Sequence, residues 1–339
     1  MSLGYEELFG YLTPAEKEEF KEIRKKVLAD KKNVVESAMD TDKKHREYVN
    51  LCIKPFEIGA KAYNGTGFYY VCVDPLYNVG VKNFDLMLYC SEMKTAILVE
   101  CKNRVSNPGK ELSDINGKIK AALENKGTLE ELVGGLEIRD IEFVFCIPAI
   151  DETKVFTGMT ALEEKPPIII WMVDMFNSII KVDGRFKKHN HPELNKIIES
   201  TSWDGPNIMI VSPSLHMGMV LQDVVVLLLR KFKGQEELNI SELCETIKSE
   251  LRNYPNEWIR EFATRILDSG KECEIFEVND SKFKISAGTG IYAVKAVKER
   301  YVSYHANKLM REELEAMLTD RVKGRVKEEA SAGGTQKSL

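Results

Sequence analysis

The sequence predicts an α/β fold, in which a mixed central sheet flanked by helices precedes a mainly helical region. One observation is a set of β-branched and aromatic runs, typical of buried strands. The runs are 68–73, 84–90, 95–101, 141–147 and 168–173. A second is an amphipathic helical run at 110–125, between the third and fourth strand runs. A third is the succession of helical runs after residue 212. The core is expected to follow the order helix, three strands, helix, strand.

The first 63 residues are predicted to be mainly helical. Pro14 favours a helix start, since proline fits the first helical turn. The chain is heavily charged to about Lys32, which predicts a solvated helix. Acidic residues at 40–42 can cap a second helix that carries Glu47 and is kinked or restarted by Pro55. Two successive helices are therefore expected before the first strand.

Length and charge set bounds on the class of protein. The 339 residues correspond to about two domains. The net charge of −5 neither indicates nor excludes a nucleic-acid partner, because phosphate affinity depends on where basic residues cluster. The longest apolar run, 217–229, is interrupted by Gln222 and Asp223 and is shorter than the ~20 residues of a membrane span. The acidic start of the chain has no apolar signal segment, so a cytoplasmic protein without membrane contact is expected.

The seven cysteines show no CxxC spacing. They lie at 52, 72, 90, 101, 146, 244 and 273, mostly inside apolar runs. Structural zinc favours short paired spacings, and a small secreted scaffold favours denser cysteine. Reduced and mostly buried thiols are therefore predicted.

The residues most indicative of chemistry lie on the predicted hairpin around 91–94. Asp85 begins its first strand and Glu100 ends its second, and antiparallel pairing brings those two ends together. Lys102 shares a face with Glu100, because strand side chains alternate with period two. Two carboxylates and one ammonium group suit a hard divalent cation, which takes oxygen ligands. Such a metal supports phosphodiester hydrolysis, where Lys102 could orient the water or stabilise charge.

These residues and the order of elements resemble the PD-(D/E)XK, restriction-endonuclease-like nuclease superfamily over roughly residues 41–150. The resemblance implies a restriction-endonuclease-like core with Asp85, Glu100 and Lys102 as catalytic residues. It also implies one or two Mg²⁺ per site, held by Asp85, Glu100, the backbone carbonyl of Cys101 and an acid of the first core helix, here Glu47 in preference to Glu57. Phe84 departs from the proline of the family name. The absence of a Gln-x-x-x-Tyr signature points away from the RecB-like branch.

An acid-x-Lys triplet alone is common in so charged a chain. It recurs at 19–21, 92–94, 124–126 and 280–282. Glu100 and Lys102 differ because they end an apolar strand, where a charge is costly unless it is paired or functional. The alternative is a strand that reaches the surface and leaves both as solvated edge residues.

The second half of the chain has the pattern of a winged helix. Its helices are expected at 217–232, 241–251 and 256–267, followed by a wing hairpin at 274–285. A third helix placed in the major groove gives candidate DNA contacts. These are Asn256, Arg260, Arg265, Lys282 and Lys284. The alternative is a structural helical bundle, since Glu257 and Glu261 on the same helix oppose phosphate.

The domain boundaries follow from these patterns. Residues 1–212 are expected to form a nuclease domain with an N-terminal helical extension, and 213–290 a winged-helix-like DNA-binding domain. Residues 291–327 form a closing helical segment, and 328–339 a polar tail expected to be disordered. A further strand is considered at 207–211.

Two other polar segments are discounted as active sites. The consecutive His189–His191 segment spells the letters of a nuclease motif whose residues are normally spread over a ββα unit, so a polar loop before Pro192 is expected. Ser212, Ser214 and His216 have no identifiable acid partner or nucleophile elbow.

The leading hypothesis is a Mg²⁺-dependent endonuclease acting on double-stranded DNA, a type II restriction enzyme acting as a homodimer. A non-catalytic winged-helix DNA-binding or regulatory protein is the alternative from another class. A structure-specific nuclease of junctions or damaged DNA is the alternative among enzymes.

Overall fold

The computed structural model describes residues 5–200, 202–203, 211–251, 254–288 and 290–334. A six-stranded sheet in the order β1-β2-β3-β4-β5-β6 forms its centre. Its strands are β1 (Tyr69–Val73), β2 (Leu86–Cys90), β3 (Thr95–Cys101), β4 (Asp140–Pro148), β5 (Ile168–Asp174) and β6 (Ile179–Val182). β3, β4 and β5 run parallel, and the other neighbours pair antiparallel. The predicted α/β class with a mixed sheet is confirmed.

Helices cover the sheet and continue beyond it. They are α1 (Tyr5–Gly10), α2 (Pro14–Ile53), α3 (Lys61–Thr66), α4 (Pro108–Glu124), α5 (Lys126–Leu132), α6 (Glu152–Ala161), α7 (Pro192–Glu199), α8 (Met217–Lys231), α9 (Ile240–Glu250), α10 (Asn256–Glu272) and α11 (Gly290–Gly334). α4 crosses between β3 and β4, as the sequence predicted. Among the described helices, none is long and apolar enough to cross a membrane.

The prediction of two helices before β1 is wrong, because α2 is one continuous helix of 40 residues. Thr13 caps its start, and Glu16 completes a capping box. Thr41 does not begin a second helix, since its hydroxyl donates to the Ser37 carbonyl of the preceding turn at 2.8 Å. Pro55 lies after the end of α2, in a short 3-10 turn.

The sheet buries both faces. Met87 and Leu98 face the layer of α4, α5 and α6, while their neighbours Leu88 and Val99 face the layer that contains α2. This alternation follows from the two-residue period of a strand. Because β3 and β4 are covered on both sides, their sequences are almost uninterrupted apolar runs.

The C-terminal region contains the three predicted helices and the predicted hairpin. α8, α9 and α10 precede β8 (Phe276–Asn279) and β9 (Lys282–Ile285). A short strand not predicted from the sequence, β7 (Leu238–Asn239), pairs with β9 and gives the order β7-β9-β8. β7 has only two residues, too few for a periodic pattern. Apolar residues of this region share one hydrophobic core with the α2 face of the sheet.

α11 packs antiparallel along α2. Lys298, near the start of α11, pairs with Asp40 in the second half of α2. Arg321, near the end of α11, pairs with Glu19 near the start of α2. Phe20 and Val27 of α2 are buried with α11 residues in a separate small core, so this charged stretch is not a fully solvated helix. α11 continues through 328–334, which were expected to belong to a disordered tail. Residues 335–339, and 207–210 of the strand considered at 207–211, lie outside the described residues.

Gly218 lies where α8, α2 and α11 meet. A Cβ at this position would lie 2.7 Å from Tyr301 Cδ1 and 2.9 Å from Met39 Cε. We therefore expect Gly218→Ala to lower the free energy of unfolding by about 1–3 kcal/mol through overpacking. Gly127→Ala is the matched control, since nothing lies within 4 Å of its Cβ, and about 0.5–1 kcal/mol of stabilisation is expected there. Denaturant unfolding measures both, and equal values for the two variants would contradict the close approach.

Candidate active site

Asp85 and Glu100 lie at the same end of the β2–β3 hairpin. The strands pair antiparallel with Leu86 opposite Val99. The Asp85 amide donates to the Val99 carbonyl at 2.9 Å, and the Cys101 amide donates to Asp85 Oδ2 at 2.5 Å. The predicted convergence of the two strand ends is confirmed, with the Asp85 carboxylate bound to the backbone beside Glu100.

Glu100 is a buried carboxylate between two lysines. Its side chain is 2% exposed, and Oε1 lies 2.6 Å from Lys102 Nζ. Lys118 of α4 contacts the other oxygen, Oε2. Burial and the nearby charge of Asp85 raise the pKa of Glu100, although both lysines lower it. Burial lowers the pKa of Lys102, but Glu100 outweighs this and raises the pKa overall, so the ammonium group stays protonated.

Asp85 is paired with His45 of α2. His45 Nε2 lies 3.2 Å from Asp85 Oδ1. Burial raises the pKa of Asp85, but the charge and hydrogen bond of His45 outweigh burial and hold that pKa below its usual value. Burial lowers the pKa of His45, but the charge and hydrogen bond of Asp85 and the charge of Glu100 together outweigh burial and raise it. The Asp85–His45 contact therefore favours an ionised carboxylate and a protonated imidazole.

The α2 residue that reaches Asp85 is thus His45, whereas Glu47 was expected to complete a metal site. A metal site needs several ligand atoms close together. Among the described residues, three or more ligand atoms of His, Cys, Asp or Glu come within 4.8 Å of one another only at Cys52, Cys101 and Cys146. Glu47 therefore belongs to no such group with Asp85 and Glu100.

Two carboxylates still fit Mg²⁺. This ion is usually bound through one or two carboxylates, with waters and substrate phosphates filling the remaining positions. Each carboxylate oxygen has two lone pairs. The oxygens of Glu100 can therefore accept from Lys102 and Lys118 and still face a cation. The donor set is hard oxygen throughout, as Mg²⁺ prefers.

Three residues of the site were not identified from the sequence. Lys118 left a signal, because it lies three residues after Ile115 and four before Ala122, beside the apolar stripe of α4. A lysine beside a buried apolar stripe needs an acidic partner in the interior, which here is Glu100. His45 left no comparable signal, and the Asp74–Pro75 pair after a strand run is typical of a turn.

Asp74 lies next to Asp85 at the end of β1. Its amide donates to the Asp85 carbonyl at 3.0 Å, and the turn after the strand is present, with Tyr77 donating to the Asp74 carbonyl. Asp74 Oδ2 accepts from Ser214 Oγ at 2.9 Å and from Ser212 Oγ. The expectation that these serines have no acid partner is therefore wrong. The sequence could not show this contact because 138 positions separate Asp74 from Ser212.

A small cavity joins Asp74 to Asp85. Its volume is about 20 Å³, and its walls include His45, Asp74, Asp85 and Ser212. This is room for about one water molecule. Burial raises the pKa of Asp74, Ser212 lowers it, and the net value is about 7. Asp74 therefore adds a third acidic group beside the hairpin end.

Asp74→Asn should change how stability depends on pH. Between pH ~4 and ~7 the folded state keeps the Asp74 proton while the unfolded state releases it, so the folded state loses stability as pH rises. Asparagine removes that loss. With the folded pKa at about 7, the stability of the variant relative to wild type should increase by roughly 2–3 kcal/mol from pH 5 to pH 8. Denaturant unfolding in EDTA at both pH values measures this, and a pH-independent difference would contradict the burial of an ionisable Asp74.

His189 is part of the core, whereas a polar loop was expected at 189–191. The segment is a loop, but Nδ1 of His189 lies 2.5 Å from Glu142 Oε2, and Trp171 Nε1 donates to Nε2 at 2.8 Å. With Trp171 donating to Nε2, the proton of a neutral His189 lies on Nδ1. Both ring nitrogens are engaged, which supports a structural role.

The five predicted DNA contacts lie on α10 and on β9. Asn256 and Arg260 line one groove between α9 and α10. Arg265 is five residues further along α10, a rotation of about 140°, and its guanidinium lies 5.7 Å from the centre of the Phe262 ring. Lys282 and Lys284 both pair with Glu237.

Comparison of the chain with protein families, with curated proteins and with solved structures finds no match.

Proposed function

We propose that this chain is a Mg²⁺-dependent endonuclease that hydrolyses phosphodiester bonds of double-stranded DNA. The observation that carries the proposal is Glu100, a buried carboxylate at a strand end between Lys102 and Lys118 and beside Asp85. Burying the Glu100 charge costs free energy that an apolar residue at this position would not. A catalytic role accounts for a carboxylate at this position.

The order of elements supports the family resemblance. α2, then β1, β2 and β3, then α4 and β4 give the helix, three strands, helix and strand of a PD-(D/E)XK core. The short helices α3 and α5 are inserted without changing the order of the strands. In this proposal Asp85, Glu100 and Lys102 would correspond to the residues of the family motif.

Each residue has a distinct role in the proposed reaction. Asp85, Glu100 and the Cys101 carbonyl would hold Mg²⁺, which when bound supplies positive charge and a water of lowered pKa. Lys102 donates hydrogen bonds from a protonated ammonium group, so it can orient the attacking water and stabilise charge on the phosphate. Lys118 and His45 are positioning residues, because they hold Glu100 and Asp85 in place.

The substrate class is tested by incubating the purified full-length chain with long duplex DNA and Mg²⁺, with EDTA as the control. Discrete fragments are expected for a type II restriction enzyme. A smear would point to a non-specific nuclease, and preferential cutting of a four-way junction over linear duplex to a structure-specific one. If wild-type protein cuts none of these substrates, the enzyme proposal is wrong and the non-catalytic DNA-binding alternative takes its place. Sedimentation measures the proposed homodimer.

We propose further that the C-terminal region is a winged helix that contacts DNA. The order α8, β7, α9, α10, β8 and β9, with the sheet order β7-β9-β8, supports this. α10 is the counterpart of a recognition helix, and Asn256 and Arg260 are exposed near its start. Lys282 and Lys284 contribute less to binding while Glu237 pairs with them.

Arg260→Ala is expected to weaken duplex binding. In a plot of log affinity against log salt concentration, loss of one phosphate contact should reduce the steepness of the slope by about 1. Arg265→Ala is the matched control on the same helix, and its salt dependence should equal that of wild type. Salt titrations of binding in EDTA measure both slopes. Equal slopes for wild type and Arg260→Ala would remove this groove from the DNA interface.

A further inference from the structure

Three cysteine thiols meet behind the proposed active site. Cys52 lies on α2, Cys101 on β3 and Cys146 on β4, where Cys101 and Cys146 are paired in the parallel register. The Sγ atoms of Cys52 and Cys146 are 3.3 Å apart, and those of Cys52 and Cys101 are 3.8 Å apart. All three sulfurs lie within 4.8 Å of one another, are buried and are free of disulfides.

This spacing fits a metal ion among the sulfurs. Three metal–sulfur bonds of about 2.3 Å at trigonal angles place the sulfurs about 4.0 Å apart. The 3.8 Å between the Sγ atoms of Cys52 and Cys101 is close to that value, and the 3.3 Å between those of Cys52 and Cys146 is shorter because these two thiols share a hydrogen bond without the ion. A single buried cysteine usually acts as a small apolar residue. The convergence of three thiols from three elements is not required for such packing.

We propose that Cys52, Cys101 and Cys146 form a sulfur site for a thiophilic monovalent ion of the Cu⁺ class. Soft thiolate ligands select Cu⁺, whereas structural Zn²⁺ is almost always four-coordinate. Among the described residues, no histidine or carboxylate joins the three sulfurs within 4.8 Å. A fourth ligand of the type that Zn²⁺ requires is thus missing from the described part of the chain.

Binding of Cu⁺ changes no oxidation state, so it needs neither an oxidant nor a reductant. The ion enters as Cu⁺, two thiols release their protons to solvent, and the third sulfur binds as a thiol. The cluster then carries one net negative charge.

The test uses the full-length protein, Cu⁺ and a competing Cu⁺ chelator without oxygen. Wild type is expected to bind one Cu⁺ per chain, and X-ray absorption should show only sulfur ligands. Cys146→Ala and Cys52→Ser should lower the affinity by more than about 100-fold, beyond the loss typical of changes around a metal's ligands. Cys72→Ala is the matched control, since Cys72 is buried in the same sheet outside the cluster, and it should bind as wild type does.

Alkylation gives a second readout that needs no variant. In protein partly opened by denaturant, Cu⁺ should slow the modification of Cys52, Cys101 and Cys146 but not that of Cys72, as mapped by mass spectrometry. Failure of wild type to compete with the chelator, or wild-type affinity in both cluster variants, would overturn the proposal. Tighter binding of Zn²⁺ than of Cu⁺ at the same three cysteines would overturn the assignment to Cu⁺.

Discussion

Lys102→Ala is expected to reduce the rate of DNA cleavage by about 10²–10³-fold, the cost typical of removing one group that stabilises transition-state charge. The ammonium group of Lys102 is protonated because Glu100 raises its pKa. Alanine removes both its charge and its hydrogen bonds, and within the described part of the chain no other lysine pairs with Oε1 of Glu100. Single-turnover cleavage at saturating enzyme measures the chemical step apart from DNA binding.

The two lysines of Glu100 should differ in what they contribute. Lys118→Ala leaves Lys102 beside the proposed substrate but removes the contact that fixes Oε2. A smaller fall in rate is therefore expected, with a lower apparent affinity for Mg²⁺. Lys120→Ala on the same helix is the control, since its side chain is 78% exposed and pairs only weakly, at 3.9 Å, with Glu124. If Lys102→Ala cuts DNA as fast as Lys120→Ala, the catalytic assignment of Lys102 is wrong.

The hairpin that carries the candidate site could be predicted because its information is local. Apolar runs on either side of a short polar turn indicate two paired strands, and a strand's two-residue period fixes which side chains share a face. Asp85 and Glu100 were therefore placed together without any knowledge of the helices. The β7 strand could not be found in this way, because its two residues are defined only by their partner β9.

The helix contacts of the site depend on packing that the sequence does not contain. Glu47 and His45 are two residues apart on α2, which is about 200° around the helix axis. Glu47 was expected to face Asp85, but the rotation of α2 on the sheet brings His45 to Asp85. That rotation is set by contacts with distant elements. Asp42 accepts from the His216 amide at the start of α8, and Arg46 contacts Asp223 within α8.

The Arg46–Asp223 pair also bears on the predicted domain boundary at 212. Asp223 was noted only as an interruption of an apolar run, whereas its side chain is 8% exposed and pairs with the α2 helix of the other predicted domain. Apolar residues of α8 and α10 lie in the same core cluster as those of the sheet. The two halves of the chain are thus joined by a continuous core and by a mostly buried ion pair.

Arg46→Ala is expected to lower the free energy of unfolding by about 3–5 kcal/mol, because it leaves Asp223 as an unpaired buried charge. Burial raises the pKa of Asp223, and Arg46 counteracts part of this. Without Arg46 the carboxyl should keep its proton to higher pH. The folded state then binds more protons than the unfolded state, so the deficit of Arg46→Ala should be largest near neutral pH and shrink toward pH 4.

A double-mutant cycle separates the pair from its surroundings. Asp223→Leu should destabilise the protein less than Arg46→Ala, because the Arg46 side chain is 18% exposed and its charge can still reach water. The double variant Arg46→Ala with Asp223→Leu should recover most of the loss, since no buried charge remains. Denaturant unfolding at pH 7 and pH 4 gives all four free energies. If the free energy of unfolding of Arg46→Ala at pH 7 equals that of wild type, the ion pair does not stabilise the protein, and apolar packing alone joins α2 to α8.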